Sequence, residues 1–178
     1  MLKTRKLRSL AEANSANLLY QQGDEAWRRG RLRPAFRFFL AAARAGMVPA
    51  FSTVGNFYDH GVGVKTNPEA ALYWYRQAYR NGALSVANNI GCILRDRKKV
   101  GQAIKWFQQA VRQSDGNANL NIAKIYLGKG NLPKAERYLN RTSRSAWATE
   151  GAKGEARLLL KELKTKKAKR TGPMRLIS

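Results

Sequence analysis

The chain is predicted to be all-α: a right-handed superhelical solenoid of stacked helical hairpins, about nine helices in all, closed by a C-terminal capping helix. Three observations predict this. Four stretches recur, Ala35 to Gly46, Ala71 to Gly82, Ala103 to Ser114 and Ala135 to Thr142, and their first alanines are spaced 36, 32 and 32 residues apart. That period is typical of helical hairpin repeats. Within each stretch small and aromatic residues fall at i, i+3, i+4 and i+7, as in Ala71, Trp74, Tyr75 and Ala78, which places them on one helix face. A second pattern precedes three of the stretches, starting at Ala50, Val86 and Ala118, each with a small residue five positions on: Gly55, Gly91 and Ala123. Small residues there let the partner helix approach closely.

The elements follow in order. A basic N-terminal arm over 1–8 leads into a first helix over 9–29, stopped by Gly30. Helices over 32–45 and 48–60 come next, the latter ended by Gly61-Val62-Gly63. Asn67-Pro68 reads as an N-cap and a first-turn proline opening a helix over 68–81. Helices are expected over 83–96, 100–113, 117–128 and, past the Gly130-Asn131 stop, 132–142. A last helix over 152–169 has Ala156, Leu159, Leu160 and Leu163 on one face, which suits a cap over the apolar edge of the final hairpin. Residues 9–169 are thus expected to form one repeat domain, followed by a flexible basic tail over 170–178.

At 178 residues the chain can bury a core without disulfides or metals. Hydrophobic residues at 44% and charged residues at 25% argue against wholesale disorder. The charge is the unusual feature: 34 Lys and Arg against 11 Asp and Glu give +23, which calls for an anionic partner. Cys92 is the lone cysteine, so no internal disulfide is possible, and a cytoplasmic location is expected. No apolar run follows the basic N-terminus, and no membrane span is predicted.

The segment from Ala50 to Gly82, with Gly-Val-Gly-Val at 61–64, Asn-Pro-Glu-Ala at 67–70, Trp74-Tyr75, Ala78 and Gly82, resembles a Sel1-like repeat. Sel1-like repeats are relatives of the tetratricopeptide repeat with a longer inter-helix turn. The units beginning near Val86 and Ala118 are shorter, lack that turn and resemble plain tetratricopeptide units, as does the hairpin beginning near Gly23. The resemblance covers about residues 14 to 142. It implies a recognition surface lined by the first helix of each hairpin.

Little in the sequence supports catalysis, and the chain is expected not to be an enzyme. One histidine and scattered carboxylates offer no triad. His60 sits at a helix end and reads as structural, and Cys92 reads as a small buried hydrophobe. No Cys/His cluster offers a zinc site, and no cofactor or small-molecule substrate is expected. The Gly61-Val-Gly-Val run lacks the Gly-Lys-Ser/Thr ending of a phosphate loop.

Two binding surfaces remain. On the inward face implied by the resemblance lie Ser52, Asn56 and Asp59, then Ser85, Asn88, Cys92 and Arg95, then Asn117, Leu120 and Lys124, with Asn89 and Asn121 adjoining. Asparagine amides both donate and accept, so such a ladder can hold an extended peptide backbone. Asn56, Asn88, Arg95, Asn121 and Lys124 are the candidate partner-binding residues, with Arg95 and Lys124 attracting a carboxylate. Asn89 and Asn121 carry a competing reading as intra-repeat hydrogen-bonding groups. The expected function is a scaffold or adaptor whose groove takes an acidic peptide or partner protein. The alternative is phosphate-led, weakly sequence-specific RNA or DNA binding through the basic cluster Arg28, Arg29, Arg31, Arg33 and Arg37.

Overall fold

The computed structural model describes the backbone of residues 2–170 and the side chains of residues 12–167. Among the described residues there are nine α-helices and no strand: α1 (Leu2–Arg28), α2 (Leu32–Arg44), α3 (Val48–His60), α4 (Pro68–Arg80), α5 (Ala87–Asp96), α6 (Val100–Arg112), α7 (Asn117–Gly128), α8 (Leu132–Ser143) and α9 (Glu150–Arg170).

The register read from the repeat holds. Ala35, Ala71, Ala103 and Ala135, the aligned alanines, are fully buried. Four residues on, Phe39, Tyr75, Phe107 and Leu139 are buried, and seven on, so are Ala42, Ala78, Ala110 and Thr142. These offsets gather on one side of a helix with 3.6 residues per turn. The second helix of each hairpin therefore buries a small–large–small seam against the first.

Two boundaries differ from expectation. α1 starts at Leu2, so the backbone of the expected arm continues the first helix. Positions 2–8 contain no Gly or Pro, and their Lys, Arg and Leu are good helix formers. The expected helix over 83–96 is split into a single 3-10 turn over Leu84–Val86 and α5. The chain leaves α4 through Gly82 at φ +91° and Ala83 at ψ 72°, and this tight exit delays α-helical geometry until Ala87. The tail beyond residue 170 lies outside the described residues.

The chain groups into two compact units, with the boundary inside α5 between Ile93 and Leu94. In repeat architectures each hairpin packs mainly on its neighbours. In unit 1, α1 packs on α2, α2 on α3 and α3 on α4. Aromatic rings fill it: Phe39 meets Tyr20 at 5.2 Å and Phe57 at 5.6 Å between centroids, Trp27 meets Phe57 at 5.3 Å, and Phe51 stacks on Trp74 at 5.7 Å. The long turn between α3 and α4 closes on the first hairpin. Gly63, at φ +65°, lies so near Leu32 that an added Cβ would collide with the Leu32 carbonyl. Asn67 caps α4, its Oδ1 accepting from the Ala70 N–H at 3.0 Å, with Pro68 in the first turn as expected.

In unit 2, α6 packs on α7, α7 on α8 and α8 on α9. Under α9 lies an aliphatic cluster in which Leu120, Ala123 and Leu139 meet Ala148, Ala152, Ala156 and Leu163, with Leu159, Leu160 and Tyr138 packed alongside, while Phe107 of α6 is buried elsewhere in the unit. The predicted apolar face of the last helix is thus the face that α9 buries. Thr149 ties its start to α7, its N–H and Oγ1 donating to Asn117 Oδ1 at 3.0 and 3.2 Å.

Candidate functional site

Unit 1 holds a cleft of about 410 Å³ lined by residues of α1, α2, α3, α4, the 3-10 turn and α5. One wall is aromatic: Tyr20 and Trp27 of α1, with Phe39 and Phe57 behind them. Trp27 is 45% exposed although its ring packs on Phe57, so it is both anchored and available. The other wall is polar: Ser52, Thr53 and Asn56 of α3, with Ser85 and Asn89.

Tyr75 forms the floor between them. Its side chain is buried, and its Oη donates to Asp59 Oδ2 at 3.3 Å. Burial, reinforced by the neighbouring Asp59 carboxylate, holds the phenol above its usual range, while hydrogen bonds from Asn89 and Asn56 oppose that shift. The neutral phenol is a fixed dipole. Asn56 and Asn89 converge on it from two elements, which orients both amides.

The sequence-predicted residues distribute unevenly. Ser52, Asn56, Ser85 and Asn89 line the cleft, and Asp59 supports its floor. Asn88 is absent from the lining, and its neighbour Asn89 stands there instead. Arg95, Asn121 and Lys124 belong to unit 2, so the five candidate partner-binding residues do not share one unit. Arg95 donates to Asn121 Oδ1 at 3.2 Å and to Asp96 Oδ1 at 2.8 Å, and Lys124 pairs with Glu155 of α9 at 2.8 Å. Leu120, expected on the inward face, is buried under α9. These side chains meet partners within unit 2.

The cleft lining includes Asp24 and no Lys or Arg, so an acidic peptide finds no counter-charge within it. Of the alternative cluster, Arg28 and Arg29 both pair with Glu25, at 3.0 and 2.7 Å, whereas Arg31, Arg33 and Arg37 are exposed and form no ion pair with a described residue. His60 Nδ1 lies 3.2 Å from the Asn56 carbonyl at the end of α3, and Cys92 is half-buried. Among the described residues no three or more His, Cys, Asp or Glu side chains are placed to hold a metal, and no helix is long and apolar enough to cross a membrane.

Tyr20, Trp27 and Thr53 were missed from sequence. The signal for Trp27 was present: it precedes Gly30 in a hairpin already similar to the repeats, at the end of its first helix.

Comparison with known proteins places names on the repeats. Residues 54–82 match the Sel1 repeat, and residues 84–115 match a tetratricopeptide repeat. Over 47 residues the chain is 47% identical to a chitin synthase regulator of Saccharomyces cerevisiae, a match covering 26% of this chain and 7% of that protein. Among solved structures, a Sel1 repeat protein from Oxalobacter formigenes aligns with TM-score 0.62 at 22% identity, over 84% of this chain and 63% of the other. A protective antigen of uropathogenic Escherichia coli displaying an SLR fold aligns with TM-score 0.69 at 17% identity, over 92% of this chain and 36% of that one. The MamA protein aligns with TM-score 0.62 at 17% identity, over 92% and 98% of the two chains.

Proposed function

We propose, from the Sel1 and tetratricopeptide repeats that the chain carries, that it is a non-enzymatic scaffold whose unit 1 cleft holds an extended segment of a partner protein. Repeats of this kind typically serve as interaction scaffolds rather than catalysts. The observation that carries the reading is the cleft itself: an exposed, anchored tryptophan facing a wall of amides and hydroxyls. An apolar side chain of the partner packs on Trp27 and Tyr20. Asn56 and Asn89 pair with its peptide groups, each amide offering a donor and an acceptor. The partner's acidic character is met outside the cleft, by exposed Arg31, Arg33 and Arg37 of the first hairpin. Charge there accelerates encounter, while the cleft supplies the anchor.

A peptide array of twelve-residue segments, followed by calorimetric titration of the strongest binder, tests this. Trp27→Ala is expected to weaken binding by about 30-fold or more, the effect of losing an aromatic anchor. Asn56→Ala is expected to weaken it about fivefold. Both variants are expected still to unfold cooperatively, although Trp27→Ala loses its packing on Phe57 and Asn56→Ala its hydrogen bond to Tyr75. A peptide whose affinity ignores both changes would remove the cleft from the function.

A further inference from the structure

The second helices carry basic residues in a repeating pattern that the cleft does not use. Two residues past the aligned alanines stand Arg37, Tyr73, Lys105 and Arg137, and nine residues past them stand Arg44, Arg80, Arg112 and Arg144. All eight are exposed, opposite the buried seam at offsets zero, four and seven. None of the seven bases forms an ion pair with a described residue. Across α2, α4, α6 and α8 only Glu69 and Glu136 are acidic, while α3 contains no Lys or Arg and α7 only Lys124.

The C-terminal bases complement the helix dipoles, a local effect confined to the last turn. That account does not reach the bases at offset two, in the middle of their helices. Positions seven apart lie two turns along one face, so each second helix that has both bases presents them in line.

In unit 1 the pattern becomes a site. Arg44 at the end of α2 and Tyr73 of α4 flank an open depression of about 450 Å³, with Phe51, Trp74 and Gln77 beneath. Tyr73 is 55% exposed and is braced edge-on by Trp74 at 5.1 Å, which itself stacks on Phe51. An aromatic ring presented to solvent beside a guanidinium, in the slot where the other repeats hold a cation, suits a base stacked on the ring with its phosphate on the arginine.

We propose that the outward face of α2 and α4 in unit 1 binds single-stranded nucleic acid, Tyr73 stacking a base and Arg44 and Arg80 meeting phosphates. Acidic protein would be drawn by the same charge, but the exposed ring favours a planar base. The surface is separate from the cleft, so its failure and the failure of the cleft reading are distinguishable.

Fluorescence anisotropy of the full chain with a labelled twenty-nucleotide oligouridylate tests this. Tyr73→Ala is expected to weaken binding by about 5- to 150-fold. Replacing Arg44 and Arg80 together by Ala is expected to reduce the log–log salt slope by about 1.4, near 0.7 per lost phosphate contact. A control removing the same charge elsewhere, Lys129 and Lys161 to Ala, is expected to change the slope far less. An equal loss in the control, an unaltered affinity in Tyr73→Ala, or equal competition by polyglutamate would overturn the proposal. Retained peptide binding in the Tyr73 and arginine variants is expected, since the cleft residues are untouched.

Discussion

Units 1 and 2 share one register, yet they solve the same packing problem with different pairs of side chains. In unit 1 the buried position of the second helix is Tyr75, and the facing small residue of the first helix is Gly55. In unit 2 the corresponding pair is Leu139 and Ala123. A larger ring is matched by the loss of a methyl group, and a smaller side chain by its return. Keeping the tyrosine places a polar atom at the floor of a cleft. Keeping the leucine gives a closed aliphatic core under α9. The repeat thus fixes where helices meet, while one compensating pair decides whether the hairpin also offers a polar site.

The largest expected effect breaks that pair. A Cβ on Gly55 would lie 2.6 Å from the Tyr75 ring, and the ring is held by its hydrogen bond to Asp59. In an unconstrained helix Gly→Ala stabilises by about 0.5–1 kcal/mol. Gly55→Ala is nevertheless expected to destabilise by about 1–3 kcal/mol, because overpacking outweighs propensity. Adding Tyr75→Leu, which imports the unit 2 solution, should recover part of the loss. Urea unfolding of the single and double variants measures both, and a single variant as stable as the parent would show that the pair is not in contact.

How much of this was legible follows from the residues themselves. Ala35, Ala71, Ala103 and Ala135 announce the register because their spacing leaves one alignment, and Asn67-Pro68 announces a helix start because cap and proline geometry are local. The identity of the small residues at Gly55 and Ala123 was also legible. The aromatic wall was not, since Tyr20 and Trp27 lie on α1, outside the four aligned stretches, and reach the site only through packing of α1 on α2. Lys124 and Arg95 carry no sign in sequence of Glu155 or Asn121, which come from 31 and 26 residues away. Charge likewise reads as a total of +23, whereas the exposure of Arg37, Lys105 and Arg137 opposite a buried seam depends on knowing which face of each helix is buried.

A smaller effect sharpens the contrast through pH. The Tyr75 phenol is held above its ordinary value, so the neutral form is favoured in the folded state. Unfolded tyrosine ionises near pH 10. Below that pH the contribution is fully present; as pH rises past it, the unfolded state loses its proton first and stability falls. Tyr75→Phe is expected to cost about 1 kcal/mol at neutral pH, from the lost hydrogen bond, and to make the alkaline decline shallower. Urea titrations from pH 7 to pH 11 check it, and parallel declines in parent and variant would mean that Tyr75 is not the group responsible.

The smallest effect concerns Lys124, which separates the five-residue groove expected from sequence from a cleft confined to unit 1. Its ammonium pairs with Glu155 at 2.8 Å, but both side chains are substantially exposed, at 41% and 45%. Solvent screening and the ordering of a long side chain reduce such a pair to about 0–1 kcal/mol. Lys124→Ala is therefore expected to lower stability by less than about 1 kcal/mol, with a difference that shrinks as salt is added. It is also expected to leave peptide affinity unchanged, because every residue lining the cleft belongs to unit 1. A tenfold loss of peptide affinity would restore Lys124 to the binding surface and extend the site beyond the cleft. An unchanged affinity beside a strong Trp27→Ala effect would place recognition in unit 1 and leave Lys124 as a tie between α7 and α9.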